Sequence, residues 1–483
     1  MAGPAGFVAP FLFALQELLQ AAAAGGGRLG TGRQGVAGIG CLANTWAVLA
    51  ELVARLIAQV MALPNLWGLY NLRSSPFFQA TLRADTEATP LRLFVGRQRE
   101  RQLLLTTIGS SRSSRQALAG RPGIGKTTLV QAVKADAQAA GYWTSAEILS
   151  LGSDGSPEDL LGRLLSGAYD AVLSSCPSAA GPAVEAAQQL VRSFRLRGGG
   201  FTASAFGFGA GGSQSESVST PPSALVLDGP RVLRDLLTYG QGQGAQGLVL
   251  HLNNLENLSE ADAGRAADLL RSIRDQALLL DGLHLIVVGT TDAVRTVVQT
   301  HTQIRSVFSE PQQLLPLALE DVQQLLTNRY AALQLEPRQP WRNPVDNTVV
   351  ERLYQLFRGD LRGMLKALED GMTALLGLTS AASREGAAPV GMDDLLLVLR
   401  QRNQRELADQ LGPTAWERLQ AWGSLDPEGL ETQAELKTLW GVSQSAVSQT
   451  LQQLMAAGAV EALPRRGREP IQYMLTGTAR LAF

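Results

Sequence analysis

Residues 119–130 read Ala-Gly-Arg-Pro-Gly-Ile-Gly-Lys-Thr-Thr-Leu-Val, and this stretch decides the fold class. It matches the pattern G-x-x-x-x-G-K-[ST], in which glycines let successive backbone N–H groups converge on phosphates. The short apolar stretch 116–119 precedes it, and the helix-like stretch 129–139 follows it. This strand, loop and helix context predicts a phosphate-binding loop (P-loop) in an α/β fold built on a parallel sheet.

The P-loop residues assigned to nucleotide binding are Gly120, Gly123, Gly125, Lys126, Thr127 and Thr128. A helix N-terminus adds its partial positive charge at such a loop. Lys126 is expected to bridge the β- and γ-phosphates of ATP, and Thr127 to offer its hydroxyl to Mg²⁺. ATP and Mg²⁺ are therefore the predicted cofactors.

Further strands of a parallel sheet should end in polar residues at the same edge as the P-loop. The candidates are 143–151, 247–254, 283–292 and 312–319, of which the second ends in two asparagines and the third in hydroxyl residues. The sequence therefore supplies the sheet that the P-loop requires.

The strand 247–254 ends in Asn253 and Asn254, where nucleoside triphosphatases usually carry carboxylates for the metal shell and the attacking water. An amide can accept a hydrogen bond from metal-bound water, but it is no general base, so we expect Asn253 to join Thr127 at the metal and hydrolysis to be slow. Glu256 has two interpretations, a substitute carboxylate or a cap of the helix that begins near Ser259.

The composition of the whole chain excludes several classes of protein. Its 483 residues predict about three domains, and 45% hydrophobic residues supply enough apolar surface for their cores. The 42 Lys and Arg nearly cancel the 43 Asp and Glu, so no global field attracts nucleic acid or anionic lipid. Two cysteines, Cys41 and Cys176, exclude a disulfide scaffold or a zinc finger and predict a reduced, cytoplasmic protein.

Residues 1–60 form a low-complexity apolar extension. The run 7–15 resembles the apolar part of a signal peptide, but no positive residue precedes it. The stretch 37–63 is long enough to span a bilayer, yet Glu51 and Arg55 would each cost about 2.5–3.5 kcal/mol near its centre. We therefore expect no stable membrane insertion, and the extension is either an amphipathic partner-binding helix or a mis-assigned start ahead of Met61.

The pattern resembles that of AAA+ ATPases of the initiator type, the family of the origin-recognition and cell-division-control ATPases, over about residues 66–483. The stretch 70–78, Tyr-Asn-Leu-Arg-Ser-Ser-Pro-Phe-Phe, resembles the entry segment of the family. The stretch 94–103 resembles its "VGR-x-x-E" box. The resemblance implies that Val95, Gly96 and Arg97 pack on the adenine.

The resemblance also implies roles for three further residues. Thr290 occupies the polar sensor 1 position, and Arg305 is similar to an arginine finger that reaches a neighbouring subunit, which implies a homo-oligomer. Arg362, in a stretch similar to the sensor 2 helix, would reach the nucleotide from the lid. For both arginines the alternative is a solvated surface side chain. The residues assigned to catalysis are Asn253, Asn254, Glu256, Thr290, Arg305 and Arg362.

The predicted domains follow from these assignments and from changes in composition. After the extension 1–60, they are an ATPase core, a helical lid, a linker with one helix, and a winged helix-turn-helix, at 61–318, 319–378, 379–404 and 405–483. The lid is predicted from helical periodicity in 319–332, 345–357 and 360–376. A glycine-rich insertion near 197–222 is either a hairpin that presents Phe206 and Phe208 to DNA or a flexible linker.

The C-terminal domain is predicted from three helices followed by two short strands, namely 413–421, 432–440, 442–457, 459–463 and 471–475. It resembles a MarR-type domain at 449–458. Val447, Leu451 and Leu454 are its expected buried face. The predicted DNA contacts are Ser443, Gln444, Ser445, Ser448, Gln449 and Gln452 on the third helix and Arg465, Arg466 and Arg468 on the wing.

Two functions from different classes fit this sequence. The first is an ATP-binding switch that places a winged helix on DNA in replication, transposition or defence. The second is a nucleotide-gated transcription regulator or signalling scaffold of the STAND kind with little hydrolysis. Residues 411–483 contain six basic and seven acidic residues, so the domain is not basic. DNA binding is the favoured function of the winged helix, and binding of a protein partner is the alternative.

Overall fold

The computed structural model describes residues 65–83, 90–150, 156–197, 222–253, 255, 260–377, 388–463 and 469–483. The chain divides into two units, 1–64 and 65–483, and all described residues belong to the second. Several predictions fall outside the described residues: those on the extension 1–60 and on the insertion at 198–221, and those on Asn254, Glu256, Arg465, Arg466 and Arg468.

The first part of the described chain alternates helices with strands. Its elements are α1 (Gln98–Gly109), β1 (Ser114–Ala119), α2 (Lys126–Ala139), β2 (Trp143–Thr144), β3 (Leu149–Ser150), α3 (Pro157–Ser175), α4 (Pro182–Arg197), α5 (Pro222–Gly242), β4 (Leu248–Asn253), α6 (Glu260–Ser272), β5 (Leu283–Gly289), α7 (Thr291–Gln299), α8 (Thr302–Arg305) and β6 (Gln312–Gln313). A short 3-10 helix, Leu66–Tyr70, precedes them.

The strands form one sheet in the order β2-β4-β5-β1-β6, with β3 also paired to β4, and every pairing is parallel. The α/β fold with a parallel sheet is therefore confirmed. Side chains of β5 alternate between the two faces: Leu285 and Val287 join the core against α3 to α7, whereas Ile286 and Val288 join the core against α1 and α2. Both faces are covered, as the continuous apolar runs of a parallel sheet require.

Three strands differ in length from their predictions. β1 begins at Ser114 rather than Gln116, because Ser114 is buried and its hydroxyl bonds to Nδ1 of His284 at 2.9 Å. The second predicted strand, 143–151, is split into β2 and β3. The fifth, 312–319, pairs with β1 only at β6, since Pro316 has no N–H to donate to a ladder and a helix begins at Leu319.

The helical lid consists of α9 (Leu319–Ala332), α10 (Asn347–Leu356) and α11 (Leu361–Leu376), and α12 (Met392–Gln410) packs against α11. α12 runs continuously through the predicted domain boundary at 404/405. Trp67, Tyr70 and Phe77 of the entry segment are buried in the same core as the lid helices. The entry segment therefore packs with the lid, whereas the predicted domain bounds placed it in the ATPase core, 61–318.

The C-terminal domain contains α13 (Pro413–Leu425), β7 (Leu430–Thr432), α14 (Gln433–Trp440), α15 (Gln444–Ala456), β8 (Val460–Ala462), β9 (Gln472–Leu475) and α16 (Gly477–Arg480). Its strands form an antiparallel sheet in the order β7-β9-β8. The three predicted helices and the two predicted strands are present in the predicted order, and two elements were not predicted: β7, between the first two helices, and α16, after β9. The third helix begins at Gln444 rather than Val442, because Ser443 caps it by accepting a hydrogen bond from the Ala446 N–H.

Within the described residues, no helix combines the length and the apolar character needed to cross a bilayer.

Candidate functional site

The P-loop leaves the end of β1, which lies between β5 and the edge strand β6. Gly123 and Gly125 have φ values of +79° and +91°, which glycine adopts without strain. A Cβ atom at Gly120 would lie 2.6 Å from Cδ1 of Ile124 and 3.0 Å from the carbonyl oxygen of Leu314. The three glycines therefore allow the tight turn that leads into the N-terminus of α2, a position that favours anions such as phosphate.

Lys126 and Thr127 are the first two residues of α2. Lys126 is buried, and its Nζ donates hydrogen bonds of 2.9 Å to the carbonyl oxygens of Gly120 and Arg121. Thr127 Oγ1 accepts a hydrogen bond of 3.2 Å from Nδ2 of Asn253, at the end of β4. The structure thus brings the predicted phosphate-binding lysine, the predicted metal-binding hydroxyl and the predicted metal-site amide together.

A cavity of about 100 Å³ adjoins the P-loop. One side is formed by the P-loop and the start of α2, and the other by the entry segment and the lid. Eight predicted site residues line it: Val95, Arg97, Gly123, Gly125, Lys126, Thr127, Thr128 and Arg362. The cavity therefore extends from the phosphate-binding turn to the apolar surface of the lid.

Sequence reasoning missed other residues that line the cavity, including Phe78, Leu82, Leu317 and Arg329. Arg329 lies on α9, is only 4% exposed, and its guanidinium carbon is 3.9 Å from the centre of the Phe78 ring. Its Nη1 donates to the carbonyl oxygens of Pro76 and Phe78 at 2.9 and 2.8 Å, and burial lowers the pKa of Arg329 to about 9. The helical pattern of the sequence does not distinguish a buried arginine such as Arg329 from a solvent-exposed one.

The predicted adenine-packing residues connect the P-loop to the lid. Arg97 caps α1 with φ +63°, and its Nη2 donates to the Ile124 carbonyl oxygen at 3.2 Å. A Cβ atom at Gly96 would lie 2.7 Å from Oδ2 of Asp321 on α9. Val95 lines the cavity. Their contact with adenine stays a prediction.

The two residues predicted to bind the metal, Thr127 and Asn253, are both uncharged. Asn253 is buried, and its Oδ1 has no hydrogen-bond partner among the described residues. The described part of the chain also contains no group of three or more His, Cys, Asp or Glu side chains placed to hold a metal. Thr127 and Asn253 fit Mg²⁺ as neutral oxygen ligands, so these two residues supply no negative charge to hold the ion, whereas nucleotide phosphates would.

The three remaining residues assigned to catalysis lie in different places. Thr290 follows β5, is half-buried, and caps α7 by accepting a hydrogen bond from the Ala293 N–H at 3.3 Å. Arg305 is exposed at the end of α8 and does not line the cavity. Arg362 is exposed at the start of α11, at the rim of the cavity. Their assigned roles stay predictions.

Asp360, which the sequence did not single out, closes the lid over the P-loop. It caps α11, where its Oδ1 accepts a hydrogen bond of 3.1 Å from the Gly363 N–H. The same carboxylate packs so closely on Gly123 that a Cβ atom there would overlap it. Burial raises the pKa of Asp360.

In the C-terminal domain, the predicted buried face of α15 is confirmed: Val447, Leu451 and Leu454 are fully buried. Of the predicted DNA-contacting residues, Ser443, Gln444, Ser445, Gln449 and Gln452 are exposed and Ser448 is half-buried. Gln444 Nε2 donates to Oε1 of Gln433 on α14 at 2.6 Å. α15 thus has an exposed polar face, whose contact with DNA stays a prediction.

Comparison with known proteins gives the following matches. The model of the family described as AAA ATPase domain matches residues 93–288. Among solved structures, the chain is similar to the Aeropyrum pernix ORC2 protein in its ADPNP–ADP complexes, with 14% identity over 84% of this chain and 95% of that one and a TM-score of 0.43. It is also similar to the Aeropyrum pernix ORC1 protein in complex with DNA, with 14% identity over 86% and 96% of the two chains and a TM-score of 0.39.

A third similar structure is the Drosophila ORC bound to DNA, with 12% identity over 87% and 93% of the two chains and a TM-score of 0.38. A search of curated proteins gives no match. The family match spans the stretch from the start of the "VGR" box through the P-loop to the end of β5, and the parallel sheet and P-loop geometry agree with it. This chain therefore contains an AAA ATPase domain, over residues 93–288.

Proposed function

We propose that the chain is an ATP-binding switch with slow hydrolysis, which couples the state of its nucleotide to DNA binding through the C-terminal winged helix. The observation that carries the nucleotide part is the convergence of Lys126, Thr127 and Asn253 at the turn between β1 and α2. The positive φ angles of Gly123 and Gly125 turn the backbone toward the N-terminus of α2, which favours a polyphosphate.

In this proposal each P-loop side chain has one task. Lys126 exchanges its two carbonyl partners for phosphate oxygens, and Thr127 and Asn253 hold Mg²⁺ beside them. Bound Mg²⁺ would neutralise phosphate charge. Phe78 and the apolar lid residues exclude water from the base, because they line the cavity on the side away from the P-loop.

Slow hydrolysis follows from the absence of a carboxylate at Asn253. A neutral amide cannot remove a proton from an attacking water molecule, so the described end of β4 can position Mg²⁺ but supplies no general base. Slow hydrolysis would leave ATP bound and intact, as a switch requires. Arg305 is exposed and would be available to a neighbouring copy, which supports assembly through the ATPase domain.

The DNA part of the proposal depends on α15. Its exposed Gln449 and Gln452 offer amide groups that can bond to base edges in a major groove, and Ser443 and Ser445 at its start can contact phosphates. The C-terminal domain also contacts the lid directly: buried Arg480 donates to the carbonyl oxygen of Leu356 at 2.6 Å. A movement of the lid can therefore reach the DNA-binding helix.

The test is binding of the full-length chain to duplex DNA, measured by fluorescence anisotropy without nucleotide, with ADP and with a non-hydrolysable ATP analogue. We expect DNA affinity to differ between these states, and Lys126→Ala to abolish the difference. Equal DNA affinity in all three states, with nucleotide binding verified by calorimetry, would contradict the coupling.

A second candidate function is a nucleotide-gated regulator or scaffold of the STAND kind, whose C-terminal domain binds a protein. The neutral Asn253 and the near balance of charge in residues 411–483 favour it. It predicts that no DNA is bound in any nucleotide state, even at low salt, and that turnover is close to zero.

A further inference from the structure

Arg121, the second residue of the P-loop, reaches across to the C-terminal domain. Its Nε and Nη2 donate to the two carboxylate oxygens of Glu461 on β8, at 3.3 and 2.7 Å. The two side chains are 31% and 33% exposed, and 340 residues of chain separate them. Two-point contact of this kind orients a guanidinium more firmly than a single bond does.

The same guanidinium contacts the lid. Nη1 of Arg121 donates to the carbonyl oxygen of Arg358, directly after α10, at 3.5 Å. Arg358 in turn donates to the carbonyl oxygen of Glu428 and to Sδ of Met474 on β9. P-loop, lid and C-terminal domain therefore meet at this one arginine.

The backbone of Arg121 is tied to the phosphate-binding lysine, because its carbonyl oxygen accepts a hydrogen bond from Nζ of Lys126. When Lys126 turns to phosphate oxygens it must release that carbonyl. The guanidinium of Arg121 also adds a second positive charge to the P-loop, and the ion pair with Glu461 neutralises part of it. The Glu461 carboxylate repels the same phosphates.

We propose that the ion pair between Arg121 and Glu461 is a latch that holds the C-terminal domain on the P-loop and lid, and that nucleotide binding and latch closure oppose each other. The proposal rests on the nucleotide site proposed above. The two effects are equal in free energy: bound nucleotide destabilises the closed latch by the same amount as the closed latch weakens nucleotide binding.

The first test is ATP affinity of the full-length chain, measured by calorimetry. Glu461→Gln keeps the shape of the side chain and removes its charge, and Glu461 lies outside the nucleotide cavity. We expect ATP to bind about two- to fivefold more tightly than in the native chain, the range that a partly exposed ion pair supports. The matched control is Glu417→Gln, an exposed glutamate on α13 of the same domain, which should bind ATP as the native chain does.

The second test is hydrogen exchange without nucleotide in peptides that cover Leu356–Gly359 and 427–432, where lid and C-terminal domain touch. We expect exchange to rise in Glu461→Gln and, in the native chain, on addition of ATP. The charge swap Arg121→Glu with Glu461→Arg should restore the native exchange, which separates a broken latch from a damaged fold.

Unchanged or weaker ATP binding in Glu461→Gln, or an effect equal to that of Glu417→Gln, would overturn the latch. If the native chain binds no ATP, the proposed function fails, and so does opposition between ATP and the latch. In that case hydrogen exchange alone tests whether the ion pair holds the C-terminal domain on the P-loop and lid. Exchange in Glu461→Gln equal to that of the native chain would show that it does not.

Discussion

The carboxylate of Asp360, at the N-terminus of α11, packs directly on Gly123 of the P-loop. A carboxylate at this place opposes phosphate binding through charge repulsion, and it also occupies the first N–H groups of a helix that could otherwise bind an anion. The lid in this structure is therefore closed over the P-loop by a negatively charged side chain.

Asp360→Asn should raise ATP affinity about tenfold, because the charge is removed while asparagine caps a helix as well as aspartate does. Calorimetry on the full-length chain measures this effect. Asp346→Asn, at the N-cap of α10, is the matched control and should leave the affinity unchanged. Since burial raises the pKa of Asp360, the advantage of the variant should shrink as the pH falls toward that pKa. An equal affinity in Asp360→Asn and the native chain would show that the carboxylate does not oppose phosphate.

Lys126→Ala should weaken ATP binding at least about 100-fold, since charge-assisted hydrogen bonds to the phosphates are lost. Lys366→Ala serves as control, because Lys366 is an exposed lysine paired with Asp370 at 2.7 Å on the lid. Calorimetry should show native affinity for that control. A Lys126→Ala protein that binds ATP normally would rule out the P-loop as the nucleotide site.

Asn253→Asp should make ATP binding more dependent on Mg²⁺, by about tenfold, because a carboxylate beside the Thr127 hydroxyl holds the ion more strongly than an amide. The measurement compares ATP affinity with Mg²⁺ and with EDTA in the native chain, the variant and Asn347→Asp, which changes an exposed lid residue. If magnesium has the same effect in all three proteins, Asn253 is not at the metal.

Gln449→Ala should weaken binding to a preferred DNA duplex by about 1–3 kcal/mol and should change binding to random duplexes less, because its amide is expected to read base edges. Gln420→Ala, on the exposed face of α13, is the control. Anisotropy of the full-length chain with duplexes of varied sequence checks this. Equal losses of affinity for preferred and random duplexes would indicate that Gln449 contacts the DNA backbone instead of base edges.

The contribution of His251 to the stability of the chain should fall between pH 7 and pH 5. This residue lies in β4 and is buried; burial, together with the positive charge of Lys134, lowers its pKa to about 3. In the unfolded chain it takes up a proton near its ordinary pKa of 6.5, so acidification favours unfolding, by about 2 kcal/mol over this range.

Glu147 acts in the opposite direction, since burial raises its pKa to about 7 and its protonation stabilises the folded chain as the pH falls. Urea unfolding of the native chain and of His251→Leu at both pH values isolates the histidine. We expect the loss of stability on acidification to be about 2 kcal/mol smaller in the variant. The same loss in both proteins would contradict a buried neutral His251.

Much of the fold follows from local patterns. The P-loop is recognisable because its glycines, lysine and threonine are adjacent in sequence and their chemistry leaves little choice of conformation. α9 begins and ends at the predicted residues, and the buried face of α15 follows directly from its helical spacing. Such features depend on residues within one or two turns of each other, which is why sequence alone determines them.

Only the tertiary structure decided the features that join distant segments. The burial of Arg329 against Phe78, the contact of Asp360 with Gly123 and the ion pair of Arg121 with Glu461 connect residues about 240 to 340 positions apart. The start of β1 was also decided there, since Ser114 joins β1 through its bond to His284. A polar side chain looks the same in sequence whether water or a distant partner satisfies it, and only packing of the complete chain selects between them.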